Sequence, residues 1–262
     1  MKLFSRFPRV ALPLLTAALA MGSPGCAAET EEDPVDSASA ELHGRLSAAE
    51  LAATKVQLRA ICNANTTRTD NLDAVRVQVE PLVDKLARHF GRRTAAQKVP
   101  LVAGAWRQIW SDFPFTMVPF ITMDRTQIYQ VVSPSGHYWN IGDSKAAGFI
   151  GITGVLRGRY ELDGARLRVE FTDSGFRFGR LDEDDDLVRY ARDLETGERS
   201  YLGFPGRGPV GISGTLETLY VDGDLRIERG TQDAVVGEDG RIERPAIGAK
   251  LFVLDRVQTP VK

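Results

Sequence analysis

The chain is poor in histidine and cysteine, two residue types that often carry covalent and metal chemistry: its 262 residues include three of the first and two of the second. His43, His89 and His137 stand apart, none in a Ser/His/Asp or Cys/His setting, and no Gly-x-Ser-x-Gly elbow occurs. A paired-cysteine motif is missing too, so neither a His-based active site nor a metal centre is expected. No basic patch interleaved with aromatics appears, which argues against a nucleic-acid partner. The apolar stretch 10–21 is broken by Pro13 and Thr16 and falls short of the ~20 apolar residues of a permanent membrane-spanning helix. These absences lead to the expectation of a protein that is not an enzyme and uses no cofactor. With 43% apolar residues, one sizeable core is within reach.

What stands at the N-terminus has the order of an export signal. Lys2, Arg6 and Arg9 give a basic start, the apolar stretch follows, and Gly22, Ser23, Pro24 and Gly25 are small or turn-forming. Residues 1–25 are therefore expected to be a signal peptide. The Gly25-Cys26 junction resembles the lipobox of bacterial lipoproteins, which implies that the Cys26 thiol takes up diacylglycerol and anchors the chain to a membrane. Ser23 stands where that family usually has Leu, so ordinary cleavage near Cys26-Ala27-Ala28 is the alternative. Removal of the signal takes Lys plus Arg from 33 to 30 against 35 acids, a net charge of −5. Residues 26–43, with Glu29, Glu31, Glu32 and Asp33 among small residues, have almost nothing to bury and read as a disordered tether. With Cys26 lipidated, Cys62 has no intramolecular partner and reads as a buried small hydrophobe.

Residues 44–92 read as a helical pair. Leu46, Leu51, Val56, Leu58 and Ile61 approximate one face of the first helix, with Ser47 as N-cap and Glu50 completing a capping box. The second spans 71–90, with Val75, Val79, Leu82, Val83, Leu86 and Phe90 on one face and Gly91 at its end. Pro81 implies a kink, or a start near that residue.

From residue 101 the period changes to two. Ile150, Ile152, Leu156, Tyr160 and Leu162 share one parity, with Gly154 and Gly158 in the same row, while Thr153, Arg157, Arg159 and Glu161 occupy the other. Asp163-Gly164 then signals a hairpin in which both residues take positive φ, and Leu167, Val169 and Phe171 line the returning strand. Asp222-Gly223 repeats the signal. Further strands are expected at 105–110, 127–132, 138–141, 211–218 and 251–256. At least eight short antiparallel strands close naturally into a barrel, with a flatter sheet backed by the helices as the alternative. The glycines within the 150–162 row suggest a strongly bent strand.

Two local clusters invite a functional reading and do not sustain it. Asp182, Asp184 and Asp186 have the opening spacing of a calcium loop, but Leu187 stands where Gly is needed and Asp193 where the closing Glu belongs, so a solvated acidic loop is expected. Gly203, Gly206, Gly208 and Gly211 precede a strand instead of opening a helix and read as a turn. Asp222 with Asp224 is the remaining carboxylate pair, explained by its hairpin without chemistry.

A longer resemblance organises the strands. Gly104-Ala105-Trp106 has the Gly-x-Trp that opens the first strand of lipocalin-like barrels, where the Trp closes one end under an Arg. The stretches 101–111, 127–132 (Gln-Ile-Tyr-Gln-Val-Val), 224–230 (Asp-Leu-Arg-Ile-Glu-Arg-Gly) and 251–254 (Leu-Phe-Val-Leu) together resemble the plastid lipid-associated protein (fibrillin) family over about residues 45–256. The resemblance implies an antiparallel lipocalin-like β-barrel at 100–258, preceded by two helices, that binds or organises lipids or hydrophobic metabolites. Here the bacterial type of export signal replaces a transit peptide, and the segment 178–208 is long and acidic. Trp106, Leu156, Tyr160, Leu167, Val169 and Phe171 are the candidate walls of a ligand site; Gln130, Asn140 and Arg229 are its candidate polar contacts, with Arg229 also placed over Trp106 as the closing cation. The expectation is a carrier or binder of a hydrophobic small molecule or lipid, tethered in a bacterial cell envelope. The alternative is an envelope scaffold whose barrel is solid.

Overall fold

The structure is a computed structural model that describes residues 45–113, 121–181, 186–203, 210–237 and 240–258. The expected signal peptide, the candidate anchor Cys26 and the tether lie outside the described residues, as do Asp182 to Asp185 of the acidic cluster and Gly206 and Gly208.

Helix α1 (Ala48–Asn65) starts as its sequence predicts. The Ser47 hydroxyl accepts from the Glu50 amide at 3.3 Å, and the Glu50 carboxylate accepts from the Ser47 amide at 2.9 Å. Its packed face is Leu51, Thr54, Leu58, Ile61 and Cys62, whereas Val56 is 67% exposed. A five-residue step from Leu51 turns about 140° off the face, so Val56 was misassigned and Thr54, its hydroxyl donating to the Glu50 carbonyl at 2.7 Å, fills the position. Burial pushes the Cys62 thiol up to about 12, with Asp255 adding to the shift. Helix α2 (Leu72–Phe90) buries Val75, Val79, Val83 and Leu86 and ends at Gly91, φ 73°. It continues without a break through Pro81. The carbonyl that Pro81 leaves unbonded belongs to Val77, which is 75% exposed, so the lost hydrogen bond falls on the solvent side of the helix. A third, unforeseen helix, α3 (Ala95–Val102), is capped by Thr94 and Gln97.

The strands are β1 (Gly104–Ser111), β2 (Ile121–Val132), β3 (His137–Ala146), β4 (Ile150–Asp163), β5 (Arg166–Phe178), β6 (Leu202–Gly203), β7 (Ser213–Val221), β8 (Leu225–Gln232), β9 (Val235–Val236), β10 (Ile242–Arg244) and β11 (Ile247–Arg256), with helix α4 (Leu187–Thr196) between β5 and β6. Eight of them, β1, β2, β3, β4, β5, β7, β8 and β11, form a closed antiparallel barrel, each paired with the next and β11 returning to β1. The protein is thus mainly β, a barrel with helices ahead of it, and closure gives each of the eight strands a partner on both sides. The β4–β5 hairpin forms one residue later than Asp163-Gly164 predicts. Asp163 pairs with Arg166, so Gly164-Ala165 are the central residues, and only Gly164 has positive φ (56°). One positive φ at the first central position is the requirement of a type II′ turn. At Asp222-Gly223 no positive φ occurs; the Asp222 carboxylate instead accepts from the amides of Asp224 (3.0 Å) and Leu225 (2.9 Å).

Two bulges aim the outer wall at the helices. Between Gln108 and Trp110 on β1, and between Thr218 and Tyr220 on β7, the pairing register shifts by one. Ile109 with Trp110, and Leu219 with Tyr220, therefore share the outer face, where they pack with Leu225, Ile227, Leu251 and Val253 against α1 and α2. Helix α4 covers Trp139, Ile141 and Val155 on the other side through Leu187, Tyr190, Ala191 and Leu194. So the parity of β4 that carries Thr153, Arg157, Arg159 and Glu161 is dry where α4 lies over it, at Thr153 and Val155.

Charged side chains latch α1 to the β7–β8 turn. Lys55 Nζ reaches Asp222 at 2.6 Å and also Asp224, and Arg59 Nε reaches Asp255 at 2.7 Å. Burial alone would raise the Asp222 carboxyl, but its hydrogen bonds with Asp224, Lys55 and Tyr220 outweigh burial and hold it well below the usual carboxylate range. A carboxyl with a depressed folded pKa contributes stability that is fully present above its unfolded value, ~3.9, and is lost as the pH falls through the folded value. Urea unfolding is expected to show Asp222→Asn less stable than the parent at pH 6, with the gap closing in acid below about pH 3. A gap unchanged at pH 2 would contradict this account of the latch.

Candidate functional site

The barrel is closed at one end, and a cavity lies above that floor. The closed end is built around Trp106, fully buried at the start of β1, whose Nε1 donates to the Val102 carbonyl at 2.7 Å and so satisfies the last turn of α3. The Arg256 guanidinium lies 4.1 Å from the Trp106 ring centre, and Arg226 lies 5.7 Å from it. Ala95, Val102, Val132, Tyr160, Leu167, Val221 and Leu254 pack around this floor. The geometry explains the Gly-x-Trp pattern. Gly104 has φ 119°, and a Cβ there would meet Arg256 Nη1 at 2.8 Å, so only glycine lets the guanidinium reach the Trp ring. Gly104→Ala is expected to cost about 1–3 kcal/mol, measured by denaturant unfolding; a neutral substitution would contradict the role.

Directly above the floor sits a buried ion pair. Arg226 and Glu228 are both fully buried on the inner face of β8 and bonded to each other, and the Thr218 hydroxyl donates to the same Glu228 oxygen at 3.5 Å. Arg226 Nε and Nη1 and Glu228 Oε2 have no hydrogen-bond partner among the described residues.

Beyond the pair the lumen opens into a cavity of about 260 Å³, just below the ~300–1,000 Å³ of ordinary ligand pockets. Its apolar wall includes Met123, Ile128, Leu156, Phe171, Leu216 and Phe252. Its polar groups are neutral amides and hydroxyls, among them Gln108, Gln130, Asn140, Ser174, Thr231 and Gln232. Space is left because two inward positions on β3 and β4 carry no side chain. A Cβ on Gly142 or Gly154 would meet nothing closer than 3.6 Å, whereas one on Gly158 would strike the Glu170 carbonyl at 2.8 Å. Gly158 is therefore a packing requirement, and Gly142 and Gly154 give the lumen its width.

Of the residues predicted for the site, Gln130, Asn140, Leu156, Val169 and Phe171 line the cavity together. Trp106, Tyr160 and Leu167 lie in the floor below it, with the Tyr160 hydroxyl donating to the Ser133 carbonyl at 2.7 Å. Arg229 is on the outside of the barrel. It bonds Glu80 of α2 at 3.1 Å, because odd positions of β8 face the helices and even ones face the lumen. Arg256 and Arg226, not Arg229, stand over Trp106. Gln108 and Gln232 were not foreseen, although Gln108 shares the parity of Trp106, and Gln232 that of Arg226 and Glu228. Among the described residues no group of three or more His, Cys, Asp or Glu is placed to hold a metal ion, and no helix is long and apolar enough to cross a membrane. His89 accepts from the Leu46 amide at 3.0 Å, and His137 lies 3.1 Å from Glu195, both as supports of local structure.

What the fold and site define is a meander barrel with a packed floor and a cavity in its lumen. Comparison with known protein families gives no match, and no curated protein matches. Among solved structures, a redesigned β-barrel, mFAP1, bound to DFHBI, is similar at 12% identity over 61% of this chain and 97% of that one, with a TM-score of 0.21. A likeness at that score carries no functional argument.

Proposed function

We propose that the protein is a non-catalytic binder or carrier of a hydrophobic small molecule or lipid, exported by its N-terminal signal and held on a membrane of a bacterial cell envelope by lipidated Cys26. The cavity carries this reading: a mostly apolar lumen whose width comes from inward glycines instead of from packed side chains. The resemblance to plastid lipid-associated proteins supports the same class of ligand, and the Gly25-Cys26 junction supports the anchor. Phe149 in the β3–β4 turn and Phe178 at the end of β5, 81% and 66% exposed at the rim opposite the floor, suit loading from a hydrophobic phase. Expression of the full chain in a bacterium, with the mass of the N-terminal peptide measured, tests the anchor: a diacylglyceryl mass on Cys26 is expected, lost in Cys26→Ser. A free Cys26 thiol, or an N-terminus beyond it, would refute the anchor without touching the cavity.

A second reading is a scaffold whose outer surface does the work, favoured by the same exposed phenylalanines. It predicts that filling the lumen leaves the biological role intact, whereas the carrier reading predicts its loss.

A further inference from the structure

The cavity is chemically selective in a way that its apolar walls alone do not reveal. Among the described residues none that lines it is Asp, Glu, Lys, Arg or His. Arg226 and Glu228, on the same inner face of β8, neutralise each other in a buried ion pair and do not line the cavity. Two carboxamides, by contrast, face the space with unused capacity. Gln130 Oε1 on β2 and Gln232 Nε2 on β8 are buried without a hydrogen-bond partner, in side chains only 4% and 9% exposed. A carboxamide can turn over and present either a donor or an acceptor, but it cannot neutralise a charge. A charged head carried into this lumen would lose its hydration with no counter-ion to replace it.

Resting on the carrier reading above, we infer that the ligand is electrically neutral: a compact apolar molecule whose uncharged hydroxyl or carbonyl groups hydrogen-bond Gln130 or Gln232, with fatty-acid carboxylates and ammonium-headed lipids excluded. Gln130 and Gln232 are then specificity-determining residues, held unsatisfied in the empty protein for a partner that arrives with the ligand.

The test uses the full chain and the neutral fluorescent probe N-phenyl-1-naphthylamine, displaced by three ten-carbon competitors at neutral pH: decanol, decanoate and decylammonium. Decanol is expected to displace the probe, with both charged homologues weaker by on the order of 100-fold. Probe binding with decanoate or decylammonium as effective as decanol overturns the inference and leaves the carrier reading standing. No binding of the probe or of any competitor overturns both. Gln130→Leu separates specificity from structure: decanol should weaken about five- to tenfold while the melting temperature of the empty protein rises, because an unpaired buried amide has been removed. A lower melting temperature with unchanged decanol affinity would make Gln130 a structural residue and overturn its assignment.

Discussion

Glu228→Gln is expected to cost about 3–5 kcal/mol of folding stability, the largest effect of any single change outside the hydrophobic core. The reason lies in what remains. Arg226 is fully buried at the floor of the barrel, its Nε and Nη1 already lack partners, and among the described residues its ion-pair partner is Glu228 alone. Losing the carboxylate leaves a buried guanidinium with the Trp106 ring 5.7 Å away and no counter-charge among the described residues. The companion experiment separates the value of the pair from the cost of breaking it. Arg226→Met combined with Glu228→Leu replaces both charges by apolar side chains, and such replacements are often neutral or stabilising. Urea unfolding of the three proteins should therefore rank Glu228→Gln far below the parent and the double variant close to it. A single variant as stable as the parent would mean that the charge finds solvent, and that the floor is not sealed.

Gly154→Leu is expected to abolish uptake of N-phenyl-1-naphthylamine while leaving the fold intact. Gly154 pairs with Gly142 across β3 and β4, and a Cβ at that position meets only the Gly142 carbonyl, at 3.6 Å, an ordinary contact. The rest of the leucine side chain has one place to go, the lumen. Probe affinity should fall by at least about tenfold, which is 1.4 kcal/mol, while the variant gains about 0.5–1 kcal/mol from replacing a flexible glycine within a strand. Unfolding of Gly154→Leu would show that the wall cannot accept a side chain there; Gly142→Leu, on the facing strand, makes the same test from another position. Probe binding that survives both would place the probe outside the barrel.

Much of this architecture was legible in the residues, for reasons that differ along the chain. The α1 start was written in Ser47 and Glu50, and the α2 end in Gly91, because caps are local and need no partner from elsewhere. The inner row of β4 was plain from its alternation. What escaped was whatever depends on the third dimension. The outer row of β4 read as polar because α4, which dries part of it, is a short helix after an acidic run; the spacing of Leu187, Tyr190, Ala191 and Leu194 was its signal. Arg229 was assigned inward through the lipocalin-like resemblance, and one residue of register separates the two faces of β8: Leu225, Ile227 and Arg229 face the helices, and Arg226 and Glu228 the lumen. The unpaired carboxamides of Gln130 and Gln232 could not be read from sequence at all, since a missing partner is a property of the assembled wall.

The central claim is that the lumen is a place for a neutral apolar molecule. Native mass spectrometry of the full chain, gently extracted from a bacterial host and followed by organic extraction of what it holds, tests that claim most directly. A stoichiometric, uncharged apolar passenger, missing from Gly154→Leu, is the predicted result. A bare polypeptide mass from folded protein that also fails to take up N-phenyl-1-naphthylamine would contradict it.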